Sequence, residues 1–195
     1  MFWVPSYHRM RAGKQYYLRV LAIATAVYCG LAYAGTMRYE SAGTYVSDDM
    51  YHLDAFARIE LGREPLQALV NGVELNFQVR LSVHRTRRWW LDTPVLERRL
   101  RYTLDYYELT QHYRVIDTQN GTSENFRSVA AALRELGSLS RYALIPSGKI
   151  NNRRRYIASI QLALDISRLP GPLMGQAFRS REWQLETEEF RWSLN

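Results

Sequence analysis

The sequence predicts a mainly β protein: an antiparallel β-sandwich or strongly curved sheet with one or two short helices, preceded by an N-terminal signal or anchor helix. Three observations carry this expectation. Apolar and polar residues alternate with a period of two over several long runs, as in strands with one buried and one wet face. Aromatic residues, which fit the pleated surface, are abundant, with 14 Tyr, 5 Trp and 6 Phe in 195 residues. The first 34 residues contain Arg9, Arg11, Lys14 and Arg19 and no acid, and from Val20 to Ala34 they carry no charge at all.

That leader reads as an export signal. The uncharged stretch VLAIATAVYCGLAYA has 15 residues, short against the roughly 20 that span a bilayer. It ends in Ala32-Tyr33-Ala34, the small-x-small pattern of a signal-peptidase site, which makes Gly35 the expected mature start. The alternative is an uncleaved anchor over residues 18–34. Cys29 is the only cysteine and lies inside this segment behind the bulky Tyr28. A lipoprotein site is therefore not expected, and the mature chain has neither a disulfide nor a thiol. The expected location is the periplasm, or the inner membrane facing it.

The alternation begins at Tyr51. Tyr51, Leu53, Ala55, Ala57, Ile59 and Leu61 occupy odd positions between mostly polar neighbours, and Val73, Leu75, Phe77, Val79, Leu81 and Val83 repeat the pattern. Between these strands, REPLQALVNG suits a short helix, with Pro65 in a first turn and Gly72 at the C-terminal cap. Leu96, Leu100, Tyr102, Leu104 and Tyr106 mark a strand over about 95–108, and Tyr113 and Val115 a shorter one. Phe126, Val129, Ala130, Leu133 and Leu136 follow a helical period that Gly137 ends. Tyr156 to Ile166 alternates again, LPGPL at 169–173 breaks the strand, and a last strand or strand pair covers Trp183 to Leu194. The apolar phase slips near Glu188-Glu189, which predicts a β-bulge there. No linker appears, so 36–195 reads as one domain.

Charge limits the function. The formal net charge is +7, but the leader holds four of those charges, leaving 22 basic against 19 acidic residues from 35 onward. That small excess does not suit nucleic-acid binding. No G-x-S-x-G, Walker or G-x-G-x-x-G motif occurs, and His52, His84 and His112 are scattered without metal-ligand spacing. Neither a metal nor a cofactor is expected. An enzyme would need a site assembled from separate polar residues such as His84, Asp92 and His112.

The densest feature is RTRRWWLD at 85–92. Tryptophan and arginine are favoured at binding hot spots, so Arg87, Arg88, Trp89, Trp90 and Asp92 are the candidate partner contacts. The competing reading puts one tryptophan in the core with Arg88 paired to Asp92 or stacked on the indole. Arg99 and Arg101 belong to the polar face of their strand, and RRR at 153–155 sits at a loop-to-strand boundary where it could touch anionic lipid headgroups.

Taken in order, NGVELNFQV, RRWWLD, RLRYTLDYYELTQHYRV, FRSVAAALRELG, ALDISRLPGPL and a terminal W-x-L-x-T-x-x-F-x-W resemble a proteobacterial family of small exported proteins built on a domain of unknown function. The resemblance covers about 45–195. The family often ends in S-x-W-Y-x-W, and here Thr187, Glu189 and Phe190 stand near that pattern. The resemblance implies export and a mostly β domain, and it transfers no catalytic residue. Family genes often neighbour that of a nitrogen-regulation-type sensor kinase, which implies a signalling role. The expected function is thus a non-enzymatic periplasmic interaction protein acting on another envelope protein, such as a sensor kinase. A membrane-anchored envelope structural factor is the first rival.

Overall fold

The computed structural model describes residues 35–86, 93–151 and 153–194. In chain order the described elements are β1 (Thr36–Ser47), β2 (Met50–Glu60), α1 (Arg63–Val70), β3 (Leu75–Arg85), β4 (Thr93–Tyr107), β5 (His112–Asp117), β6 (Thr122–Phe126), α2 (Val129–Leu136), β7 (Ser138–Pro146), β8 (Tyr156–Leu164), α3 (Gly171–Ala177) and β9 (Phe190–Ser193). The strands form two antiparallel sheets, one in the order β1-β2-β7 and one in the order β6-β5-β4-β3-β8-β9. The protein is mainly β, and neither sheet closes into a barrel.

The core follows from the alternation. On β3, the central strand between β4 and β8, Leu75, Phe77, Val79, Leu81 and Val83 are buried. They meet Tyr51, Leu53, Ala55, Ala57 and Ile59 of β2 and Tyr156, Ala158, Ile160, Leu162 and Leu164 of β8 in one hydrophobic cluster. Each Val, Leu, Ile or Phe side chain among them contributes about 1.5–3 kcal/mol when removed from water. The edges of the two sheets touch where β1 runs beside β9. Tyr39 packs on Phe190 with ring centroids 6.4 Å apart, and the Trp192 indole N–H donates to Thr44 Oγ1 at 3.2 Å.

Three strands escaped the alternation, each for a local reason. β1 is an edge strand whose register slips between Tyr39 and Ser41, so its two halves bury opposite parities. Its hairpin to β2 turns on Asp48 and Asp49, both at positive φ, where Asn-Gly would have been the usual signal. β6 exposes Thr122 to Asn125, so its alternation is invisible, and it follows a turn that ends at Gly121, at φ +68°. β7 shifts register twice against β2 and places Arg141 at positive φ. Phe126, expected on the helix, belongs to β6. The helix α2 starts at Val129, because Ser128 caps it by accepting the Ala131 N–H. A third helix, α3, begins within LPGPL itself, with Pro172 in its first turn.

The bulge falls where the phase slips. Ala163 faces Glu186 while Ile160 faces Phe190, so the C-terminal segment carries one residue more than β8 over this span. Thr187 holds the distortion. It is buried, its Oγ1 accepts the Leu162 N–H at 3.0 Å, and its own N–H donates to the Leu162 carbonyl at 2.8 Å. A Thr187→Val variant keeps the shape and orphans a buried N–H. It should lose about 1–3 kcal/mol of unfolding free energy in urea titration, and an unchanged midpoint would show that Oγ1 is dispensable.

Candidate functional site

The predicted partner contacts Arg87, Arg88, Trp89, Trp90 and Asp92 lie outside the described residues, as do the cleavage residues Ala32 and Ala34. The two ends of the tryptophan segment are placed, however. Arg85 stands opposite Thr93 on one side and Tyr156 on the other, and the Thr86 N–H donates to the Arg155 carbonyl at 3.0 Å. The antiparallel pairing of β3 with β8 thus brings Arg85 and Thr86, at the end of β3, to the RRR of 153–155, at the start of β8. The sequence reading treated these as separate clusters, and no local signal joins them.

A shallow depression of 680 Å³ opens at this meeting point, lined by Thr86, Arg153, Arg154, Arg155, Ile157 and Ser193 together with Tyr156. The loop bearing the arginines is built from within. Ile150 is buried, the Asn151 N–H reaches the Tyr156 hydroxyl at 3.3 Å, and Asn151 Oδ1 accepts the Arg153 N–H at 2.9 Å. The arginine side chains are left exposed, with Ile157, an exposed apolar residue, among them. Among the described residues the ion pairs use Arg38, Arg58, Arg80, Arg114, Arg168 and Arg191, and none uses Arg85, Arg153 or Arg155. Arg85 also carries an orphan: its Nε is buried without a hydrogen-bond partner.

Gly35 lies at the other end of the strands. A Cβ there would stand 2.4 Å from the Gly62 nitrogen and 2.6 Å from the Glu60 carbonyl oxygen, so packing demands glycine at this position.

Among the described residues His84 and His112 stand far apart. His84 is opposite Pro94 at the start of β4 and His112 is opposite Tyr107 at its end. Strand geometry puts roughly 40 Å between those two positions, so the scattered site imagined around His84, Asp92 and His112 does not form. His112 Nδ1 instead contacts the Thr110 carbonyl, and His52 Nδ1 lies 3.3 Å from the Arg141 carbonyl. Among the described residues no group of three His, Cys, Asp or Glu side chains could hold a metal ion.

Three polar clusters on the walls are internally paired or hold their own protons. On the outer face of the six-stranded sheet, Ser82 Oγ and Ser159 Oγ lie 2.7 Å apart and Arg80 meets Glu186 at 2.7 Å. There, hydrogen bonds from Arg191 and then Ser159 hold the Glu189 carboxyl below its usual range. Asp105 pairs with Arg114 at 2.7 Å, and that guanidinium sits 4.4 Å from the Tyr107 ring centre. A lateral cleft of 350 Å³ is lined by Tyr102, Asp117, Glu124, Glu135, Ser138 and Tyr142, among others. Burial, and then the charge of Asp117, push the Tyr102 phenol up to about 12. The Asp117 carboxylate is already occupied by the backbone N–H groups of Gln119 and Asn120.

The described domain is therefore a two-sheet antiparallel β-sandwich with a cluster of exposed arginines, Arg153, Arg154 and Arg155, beside the end of β3. The chain belongs to the family described as domain of unknown function (DUF4390), whose model matches residues 34–193. No curated protein and no solved structure matches it. Among the described residues no helix is long and apolar enough to cross a membrane.

Proposed function

We propose that this protein is an exported binding module of the cell envelope that works on another envelope protein rather than on a small substrate. Its contact surface is the end of the sandwich where Arg85 and Thr86 meet Arg153, Arg154 and Arg155. The observation that supports this reading is the hydrogen bond from the Thr86 N–H to the Arg155 carbonyl, which joins the end of β3 to the arginine loop. Arginine and tryptophan supply much of the energy at protein interfaces, through planar charged contacts and large rigid rings. The extracytoplasmic region of a membrane sensor kinase is the partner that the family resemblance suggests.

In-cell photo-crosslinking from positions 89, 155 and 157 is the test. A discrete protein adduct from this end, absent when the probe is placed on exposed Arg99 of β4, is the expected result. No adduct from any of the three positions, in a protein shown to be exported, sinks the reading. Mass spectrometry of the mature N-terminus settles how the domain is held: a start at Gly35 is expected, and a retained leader would make the protein an anchored factor.

A further inference from the structure

We infer that the outer edge of β6 takes an extended segment of another protein, one that carries lysine or arginine at alternate positions. This surface is separate from the arginine loop before β8, since β5, β4 and β3 lie between β6 and β8. The two sheets have four edge strands, β1 and β7 in one and β6 and β9 in the other. An edge offers its backbone N–H and C=O groups to any chain that comes beside it. Three of the four are blunted. β1 and β9 cover each other, with Tyr39 against Phe190 and Trp192 bonded to Thr44. β7 shifts register twice against β2 and holds Arg141 at positive φ, and such irregularities spoil an edge as a template. β6 has neither protection. Its register with β5 runs unbroken from Asp117↔Thr122 to Tyr113↔Phe126, and among the described residues no strand pairs with its other side.

Side chains decide what this edge accepts. Opposite residues of an antiparallel pair point to the same face. Leu104, Val115 and Glu124 form one such row, and Tyr102, Asp117 and Thr122 the next. Leu104 and Val115 are buried, so Glu124 is a charge on the core-facing side of an edge strand. It borders the 350 Å³ lateral cleft, whose lining holds the carboxylates of Asp117, Glu124 and Glu135 and no basic side chain. Arg98 donates to the Tyr142 hydroxyl at 3.2 Å but is not part of that lining. Burial, and then the charges of Asp117, Tyr142 and Glu135, raise the Tyr102 phenol, as a negative potential within the cleft requires. Asp117 spends its carboxylate on the Gln119 and Asn120 N–H groups, which leaves Glu124 and Glu135 to receive a cation.

A strand laid along β6 turns every second side chain toward this cleft. Backbone hydrogen bonds would hold it, and those alternate side chains would set its identity. Acidic or apolar ones would meet carboxylates, whereas lysine or arginine would pair with Glu124 across the strands and with Glu135 on the cleft wall. The inward charge thus rejects indiscriminate pairing and selects a basic segment. It also rejects a second copy of this chain. Glu124 is the middle residue of TSENF. Two β6 strands paired antiparallel in full register would set Glu124 opposite Glu124, the like-charge arrangement that destabilises a sheet.

Fluorescence anisotropy with the full chain and a labelled Thr-Lys-Thr-Lys-Thr-Lys-Thr peptide tests the chemistry, and hydrogen–deuterium exchange tests the place. The peptide is expected to bind, to slow amide exchange within 122–126, and to bind about tenfold more weakly to the Glu124→Lys variant. Glu124 is exposed, so the variant keeps its fold, and an unchanged thermal melt checks this. Exchange protection in the parent protein needs no variant at all. A scrambled peptide, Lys-Lys-Lys-Thr-Thr-Thr-Thr, has the same charge without the alternation and is expected to bind more weakly and to leave 122–126 unprotected. No binding, binding without protection of 122–126, or equal binding by the variant or by the scrambled peptide overturns the inference. A parent protein that dimerises in sedimentation, with 122–126 protected in the dimer, overturns it in favour of a second copy.

Discussion

Replacing Trp183 with alanine is expected to cost about 3–5 kcal/mol of unfolding free energy, the range for deleting a fully buried aromatic ring. Trp183 is 1 % exposed and sits in the short helical turn Arg181–Trp183, which packs against α1. Two hydrogen bonds cross between these elements in opposite directions. The indole N–H donates to Glu64 Oε2 at 3.0 Å, and the Glu64 N–H donates to Glu182 Oε2 at 2.8 Å. The second bond satisfies one of the N–H groups that a helix leaves unpaired at its start, where Gly62 provides no side-chain cap. Trp183→Ala thus opens a cavity and unties the first turn of α1 from the C-terminal segment. Trp183→Phe separates the two effects, since it retains a ring and should lose only about 1–2 kcal/mol for the missing indole bond. Equilibrium denaturation of both variants checks this, and a loss under about 1 kcal/mol for the alanine variant would mean that the ring is not part of the core.

Gly137→Ala is the second large effect, and its cause is a single methyl group. A Cβ at Gly137 would lie 2.2 Å from the Ala57 carbonyl oxygen and 3.2 Å from the Ala57 carbonyl carbon. These are backbone atoms of β2, fixed by the sheet, and the Gly137 carbonyl itself accepts the Ala57 N–H at 2.8 Å. The φ of Gly137 is −79°, open to any residue, so the requirement is close approach of backbones and not a left-handed conformation. Overpacking of this kind costs about 1–3 kcal/mol and more when the neighbour cannot yield, and here the lost Ala57–Gly137 bond adds to it. The expected result is a variant at least 2 kcal/mol less stable, by the magnitudes just given. Gly43→Ala is the control: a Cβ there meets nothing within 4 Å, and stability should stay within about 0.5 kcal/mol. Equal melting points for the two variants would contradict the packing seen at α2.

Trp183 and Gly137 also mark how far the sequence could be read. Gly137 was legible as the end of a helix because apolar spacing from Val129 to Leu136 stops there. Its reason for being glycine was not legible, since Ala57 lies far away in the chain. Trp183 was legible as apolar and near the last strand, yet it lies in a helical turn before that strand, because the partner that fixes it, Glu64, comes from another element. The candidate site divides in the same way. RTRRWWLD stood out by composition, and RRR at 153–155 stood out separately. Only the register Arg85↔Tyr156 brings the start of the first, Arg85 and Thr86, beside the second.

By itself the sequence determined the mainly β class, the long central strands β2, β3, β4 and β8, two of the helices and the C-terminal bulge. These depend on side-chain periodicity within a run of neighbours, and that periodicity is a local property. The tertiary structure alone decided the edge strands β1, β6 and β7, the pairing order of both sheets, and the convergence of the arginines at one end. Edge strands bury little and carry register shifts, so their alternation is weak. Pairing order and end-to-end proximity are set by which buried faces fit together across the core, a choice among distant segments that no single stretch of sequence contains.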